Sequence, residues 1–287
     1  MEDTDGFTLV TRKGKGGKRA EQQGKLHKQP ISKTSFADQP TSDNKDSREQ
    51  TPGFYVASTR SKRNNRKTAL QEQHLDNNRA VERSIYNVND KRYTIKTSEY
   101  MAMFGRHLEA IRGFAPEEIV CYGMGSPSSS QVSQWQLALI LEINDVFKLP
   151  VLAFDPVTSA CDIEVLSKLG VSAIPENEEA KRRASRKTLF FMPHCEQFLY
   201  ENVVAANWSK ETLERVMVVG NRFSGYRDAQ GGQEFADKSP HLARMIDSVT
   251  VIEFPSEKAL KLRHCPYAFT DTSIQFIEPE KISLIKF

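Results

Sequence analysis

Two glycines one residue apart, Gly123 and Gly125, follow the apolar run 119–122 and lead into the serine-rich stretch 126–130. Backbone N–H groups in such a turn approach a phosphate or carboxylate closely when a helix starts just beyond it. A third glycine would complete the dinucleotide pattern, but Ser128 stands in its place. Asp155 lies 32 residues after Gly123, at the end of the apolar run 151–154. A carboxylate there is placed to hold the two hydroxyls of a ribose. The residues therefore admit an S-adenosylmethionine or other adenine-nucleotide site. They equally admit a tight strand–helix turn with Asp155 capping the next element. His194-Cys195 offers an acid–base and thiolate pair, or two metal ligands. Neighbours on an extended backbone point to opposite sides, so one of the two enters the core; a capping histidine beside a buried cysteine is the favoured reading. His107, His241 and Cys265 have no zinc spacing to this pair, and no metal is expected. Cys265-Pro266 is a dipeptide that can offer a thiolate to haem iron, although a turn is favoured. No Gly-x-Ser-x-Gly elbow or Walker loop occurs, so whether the chain catalyses a reaction stays open.

These residues need elements to hold them. Short apolar runs at 119–122, 151–154, 171–174, 188–192, 215–219 and 249–254 read as strands, with a late strand at 274–277. Helical segments are expected at 131–147, 162–169, 178–184, 196–206, 241–246 and 257–262, and a polar glycine-rich loop at 224–233. Before them, Met101, Phe104, Leu108 and Ile111 recur at helical spacing on one helix from Thr97 to about Gly113, expected to pack on the sheet. Strands alternating with helices predict an α/β fold, a Rossmann-like doubly wound and mainly parallel sheet. Ligands of such sheets bind beyond the strands' carboxyl ends. Reading only those ends leaves Gly123, Gly125, Ser126, Ser128, Asp155, His194, Cys195 and Asn221 as one candidate crevice.

The rest of the chain divides by charge. Residues 1–96 carry 20 Lys and Arg against 12 Asp and Glu, a net +8; residues 97–287 carry 20 against 25, a net −5. Residues 1–67 lack a hydrophobic period and are expected to be a disordered basic arm, with 68–96 a transitional linker, a helix expected around 69–83, and 97–287 a single domain. The clusters Arg12–Arg19 and Arg60–Lys67 suit a nuclear import receptor or RNA, and equally a solvated tail. The island 6–10 is β-prone and apolar enough to dock on a partner or on the body of the protein itself. Four scattered cysteines and an acidic start without an apolar leader point to a reduced, intracellular setting, and no stretch is apolar enough to span a membrane.

Several of these residues together carry a family likeness. Cys121-Tyr-Gly-Met-Gly-Ser126 with Gln136-Leu-Ala-Leu139, Phe154-Asp-Pro156 with Leu169-Gly170, and Met192-Pro-His-Cys195 with Leu199-Tyr-Glu201 and Asn207-Trp208 resemble the sensitivity-to-red-light-reduced family. Val218-Val-Gly-Asn221 and Phe269-x-Asp-Thr-Ser273 extend the likeness over about residues 97–278. The chain departs from the family pattern at Arg222, where serine is usual, and at Gln275-Phe276, where histidine and an aromatic are usual. The resemblance implies a regulatory protein of cytoplasm and nucleus, linked to circadian clock input and to control of haem biosynthesis, acting through regulatory protein partners or a small ligand. It implies no particular chemistry.

Overall fold

A computed structural model describes residues 59–255 and 267–287, with side chains from residue 72 onward. The expected helix 257–262, the Cys265-Pro266 dipeptide, the island 6–10 and the cluster Arg12–Arg19 lie outside the described residues.

The chain opens with α1 (Thr59–Thr97), α2 (Glu99–Met103) and α3 (Gly105–Phe114). Then come β1 (Glu118–Tyr122), α4 (Gln131–Phe147), β2 (Val151–Phe154), α5 (Ala160–Lys168) and β3 (Val171–Ala173). After a long loop follow β4 (Thr188–Met192), α6 (Gln197–Ala206), α7 (Lys210–Leu213) and β5 (Val216–Asn221). Three short helices, α8 (Phe223–Gln230), α9 (Gly232–Lys238) and α10 (Pro240–Met245), lead to β6 (Thr250–Glu253) and β7 (Thr272–Phe276).

The seven strands form one sheet in the order β3-β2-β1-β4-β5-β7-β6. The first five are parallel; β7 inserts antiparallel between β5 and β6. The chain leaves β1 on one side for β2 and β3, then crosses back to lay β4 on the other, which makes β1/β4 the point where the strand order reverses. Alternation along each strand feeds two cores. Ile119, Cys121, Leu189, Phe191, Met217 and Val219 face one core with α1–α5, while Val120, Tyr122, Phe190, Met192 and Val218 face the other with α6–α10. Both faces are covered, as a doubly wound sheet requires. That bears out the α/β, mainly parallel expectation.

Four local expectations change. The helix around residues 69–83 is part of a 39-residue α1. Its Val81, Val88 and Ile95 are fully buried, and Arg92 pairs with Glu142 and Asp145 of α4, so ordered packing begins well before residue 97. Residues 59–67, assigned to the arm, are helical backbone. The single amphipathic helix 97–113 breaks at Phe104 into α2, capped by the Ser98 hydroxyl, and α3. The expected helix 178–184 is a loop, because Glu179 and Ala180 take positive φ of 49° and 58°, outside any right-handed helix. The expected loop 224–233 is instead α8 and the start of α9, which bury Phe223 and Phe235.

Candidate functional site

The structure places all eight candidate residues at one end of the sheet, around the carboxyl ends of β1, β2, β4 and β5. The turn after β1 needs both its glycines: φ is +70° at Gly123 and +74° at Gly125. Gly123 has a second constraint, since a Cβ there would sit 2.5 Å from Cys195 Sγ. Asp155 pins this turn from the next strand. Its Oδ2 accepts from Gly125 N–H at 2.7 Å and its Oδ1 from Val157 N–H at 3.0 Å. The carboxylate expected to meet a ribose thus spends each oxygen on a backbone amide of the protein itself.

The serines of the turn answer to a different acid. Asp162 is fully buried and accepts from Ser128 N–H at 2.8 Å and Ser126 Oγ at 3.0 Å. Its other oxygen accepts from Ser159 N–H and Oγ, closing a capping box at the start of α5. Burial alone would raise the Asp162 pKa, but the donors from Ser159 and Ser128 outweigh it and hold the carboxyl below its ordinary value. The turn is therefore fastened to β2 by Asp155 and to α5 by Asp162. Ser159-x-x-Asp162 was a readable capping signature; that the same carboxylate also reaches Ser126 and Ser128 was not.

In the turn after β4 the adjacent pair divides, with Cys195 buried and His194 exposed, although the backbone there is not the extended one on which neighbours alternate. Cys195 Sγ donates to Tyr122 carbonyl oxygen at 3.4 Å, and burial, then the nearby Asp155 and Glu196 charges, push its thiol up to about 12. A thiol so placed is not a thiolate at neutral pH. His194 is not the helix cap, since Glu196 occupies the N-cap of α6. It adopts a left-handed φ of 61°, and its N–H donates to Asn221 Oδ1 at 2.8 Å.

Asn221 is the joint between β4 and β5. Its Nδ2 donates to Tyr226 Oη at 2.9 Å, and Tyr226 donates onward to Cys195 carbonyl oxygen at 2.7 Å. Its N–H donates to Tyr200 Oη at 2.9 Å, while that hydroxyl donates to Met192 carbonyl oxygen. Gly220 makes room, because a Cβ would lie 2.8 Å from Met192 O and from Tyr200. Gln275 of β7, one of the departures from the family pattern, is buried and straddles the same corner. It accepts from Phe223 N–H and donates to Asn221 carbonyl oxygen, each at 2.9 Å. Arg222, the other departure, pairs with Glu253 at 2.7 Å on the surface. The bonds that Asp162 makes to Ser128, Tyr226 to Cys195 and Gln275 to Asn221 could not be read locally, because they span 34, 31 and 54 residues of chain.

Tyr122 adds a link to the β3–β4 loop. Its hydroxyl donates to Glu178, which Arg182 grips through Nε at 2.9 Å and Nη2 at 2.7 Å. An open cavity of about 500 Å³ lies at the same end of the sheet but toward β6, between Arg222, Glu253, Phe254, Phe269 and Asp271. None of the eight candidate residues lines it. Among the described residues, no group of three or more His, Cys, Asp or Glu is arranged to hold a metal, and no helix is long and apolar enough to cross a membrane.

These features define a doubly wound α/β protein whose glycine turn sits where the strand order reverses. The model of the SRR1 domain matches residues 105–276, more than half of the chain, and the chain belongs to that family. An SRR1-like protein of Mus musculus is 35% identical over 134 residues, 45% of this chain and 54% of the relative. The Protein SENSITIVITY TO RED LIGHT REDUCED 1 of Arabidopsis thaliana is 39% identical over 114 residues, 39% of this chain and 42% of the relative. An SRR1-like protein of Drosophila melanogaster is 27% identical over 183 residues, 63% of this chain and 62% of the relative. The chain thus spans about half the length of the first two curated relatives. Among solved structures, the SAH-bound methyltransferase PaMTH1 of Podospora anserina aligns at 13% identity and a TM-score of 0.36, over 67% of this chain and 87% of that one. CmcI aligns at 13% and 0.32, over 60% and 69%. Likenesses of that size carry no functional argument.

Proposed function

We propose that this chain is a regulatory protein of the SRR1 domain family that acts in circadian clock input and in control of haem biosynthesis, through protein partners or a small ligand at the carboxyl ends of β1, β2, β4 and β5. One observation favours regulation over catalysis: the polar groups at this end of the sheet are spent on one another. Asp155 holds Gly125 and Val157, Asn221 holds His194 and Tyr226, and the Cys195 thiol is buried. Such an arrangement fixes a surface for recognition and supplies no activated nucleophile. The name of the Arabidopsis relative, which records a red-light response, is consistent with signal input. The proposal extends to a cytoplasmic and nuclear distribution, with the basic arm read by an import receptor or RNA.

Removing the protein from cells is expected to change the period of the circadian rhythm and the rate of haem synthesis, with the full-length chain restoring both. Unchanged rhythm and haem synthesis in its absence would rule the proposal out. Imaging the chain with and without residues 1–67 tests the nuclear component in the same cells; an unchanged nuclear fraction removes the arm from it.

A second reading is a transferase that uses S-adenosylmethionine or another adenine nucleotide. It is favoured by the two positive-φ glycines beside Asp155. A ribose diol would have to share the Asp155 oxygens with Gly125 and Val157, which a carboxylate's four acceptor positions permit. Thermal-shift measurements with adenine cofactors at millimolar concentration decide it. A shift abolished by Asp155→Asn supports the transferase; none in the wild-type chain dismisses it.

A further inference from the structure

The β3–β4 loop ends in Lys181-Arg182-Arg183-Ala184-Ser185-Arg186-Lys187, a serine with arginine at both the third and second positions before it. We propose that Ser185 is a phosphorylation site for an arginine-directed serine kinase, in a loop presented at the surface on the far side of the sheet from the glycine turn. Kinases of this class choose substrates by charge pattern, reading basic residues just before the acceptor with an acidic cleft. They need the acceptor stretch outside helix and strand. Residues 174–187 take neither, and Arg183, Ser185, Arg186 and Lys187 are exposed.

The loop is anchored so that the serine is presented without being buried. Ala184 is the anchor: it is buried, and its N–H donates to Asn207 Oδ1 at 2.8 Å. Asn207 Nδ2 in turn donates to Arg182 carbonyl oxygen at 2.9 Å. On the other side, Arg215 Nη1 donates to Ser185 carbonyl oxygen at 3.1 Å. Arg183 and Arg186 make no ion pair among the described residues. Arg182 is held by Glu178, so engaging a kinase exchanges one carboxylate partner for another rather than stripping a free cation of water.

In the reaction, Ser185 Oγ attacks the γ-phosphorus of ATP bound to the kinase. An ester P–O bond forms, the bond to the β–γ bridging oxygen breaks to release ADP, and the hydroxyl proton passes to the kinase's catalytic carboxylate. The product carries about −1.5 to −2 charges at pH 7. It is created beside Arg186, Lys187 and Arg215, which line one shallow depression with Ser185. Glu117, Glu211 and Glu214 line it too. Three cations balance three carboxylates in this depression, so the new phosphate leaves it net negative.

The test uses the full chain, ATP and the catalytic subunit of cyclic-AMP-dependent kinase, with incorporation mapped site by site by mass spectrometry. Phosphate at Ser185 is expected, lost in Ser185→Ala. Arg183→Glu is expected to slow Ser185 about tenfold while leaving modification of Thr68 and of residues 1–58 unchanged. Thermal melts of both variants matching the wild type exclude misfolding as the cause. A synthetic peptide of residues 179–190 sets the scale for an unrestrained site. The proposal is overturned if the peptide is modified to completion while Ser185 in the folded chain stays unmodified, or if Arg183→Glu slows every site alike.

Discussion

Gly123 meets two demands at once: a backbone in the left-handed region, and the Cys195 sulfur where its Cβ would be. The two separate by mutation. Gly123→Ala is expected to cost about 2–4 kcal/mol, of which roughly 1 is the left-handed penalty and the rest steric overlap. Adding Cys195→Ala removes the sulfur, and the double variant should recover the steric part. The second substitution would then cost less in the variant than in the wild type, a coupling that urea denaturation reads directly. Equal costs in the two backgrounds would mean that the contact carries no energy. The need for glycine at this turn was legible from its place between strand and helix. The identity of its neighbour was not, because Cys195 is 72 residues away in the chain and arrives only through the pairing of β1 with β4.

Among the elements, α1 and α4 are coupled by more than apolar contact. Arg92 reaches from α1 to a nearly buried Glu142 at 2.8 Å and to the more exposed Asp145 at 2.7 Å. Arg92→Ala leaves Glu142 charged without its partner and is expected to destabilise by about 3 kcal/mol. Glu142→Gln in the same chain should return much of that loss, and no return would show that Glu142 is solvated well enough to need no cation. The strands β1, β2 and β4 and the helix α4 could be read from apolar runs bounded by glycine, proline and serine, which act locally. The segment 178–184 misled because its charges suit a helix, whereas Glu178 and Arg182 are recruited by Tyr122. The glycines at 231 and 232 suggested a loop, yet they occupy only the junction between α8 and α9.

For the molecule as a whole, acid stability follows from a buried imidazole. His107 is stacked on Phe104 under Phe254, and its Nε2 bonds the Glu253 carbonyl at 2.9 Å, tying α3 to the edge strand β6. Burial holds its pKa below the ordinary 6.5, with the Glu253 carbonyl opposing that shift only in part. Between the two values the unfolded chain binds a proton that the folded chain refuses. The His107 contribution is thus complete above pH 6.5 and lost as pH falls through the folded value. Urea midpoints followed from about pH 8 to pH 5 should fall on acidification, and His107→Phe should flatten that slope. An undiminished slope in the variant assigns the proton elsewhere. The amino-acid sequence by itself determined the alternation of strand and helix, the parallel sheet and the end of it that carries glycine, serine and acid, since each follows from local periodicity and turn chemistry. Only the tertiary structure decided that Asp155 and Asn221 turn inward to hold the backbone, that Asp162 outranks them in burial, and that β7 reverses between β5 and β6. Those outcomes depend on which remote groups arrive within hydrogen-bond reach, and strand order settles that where sequence distance cannot.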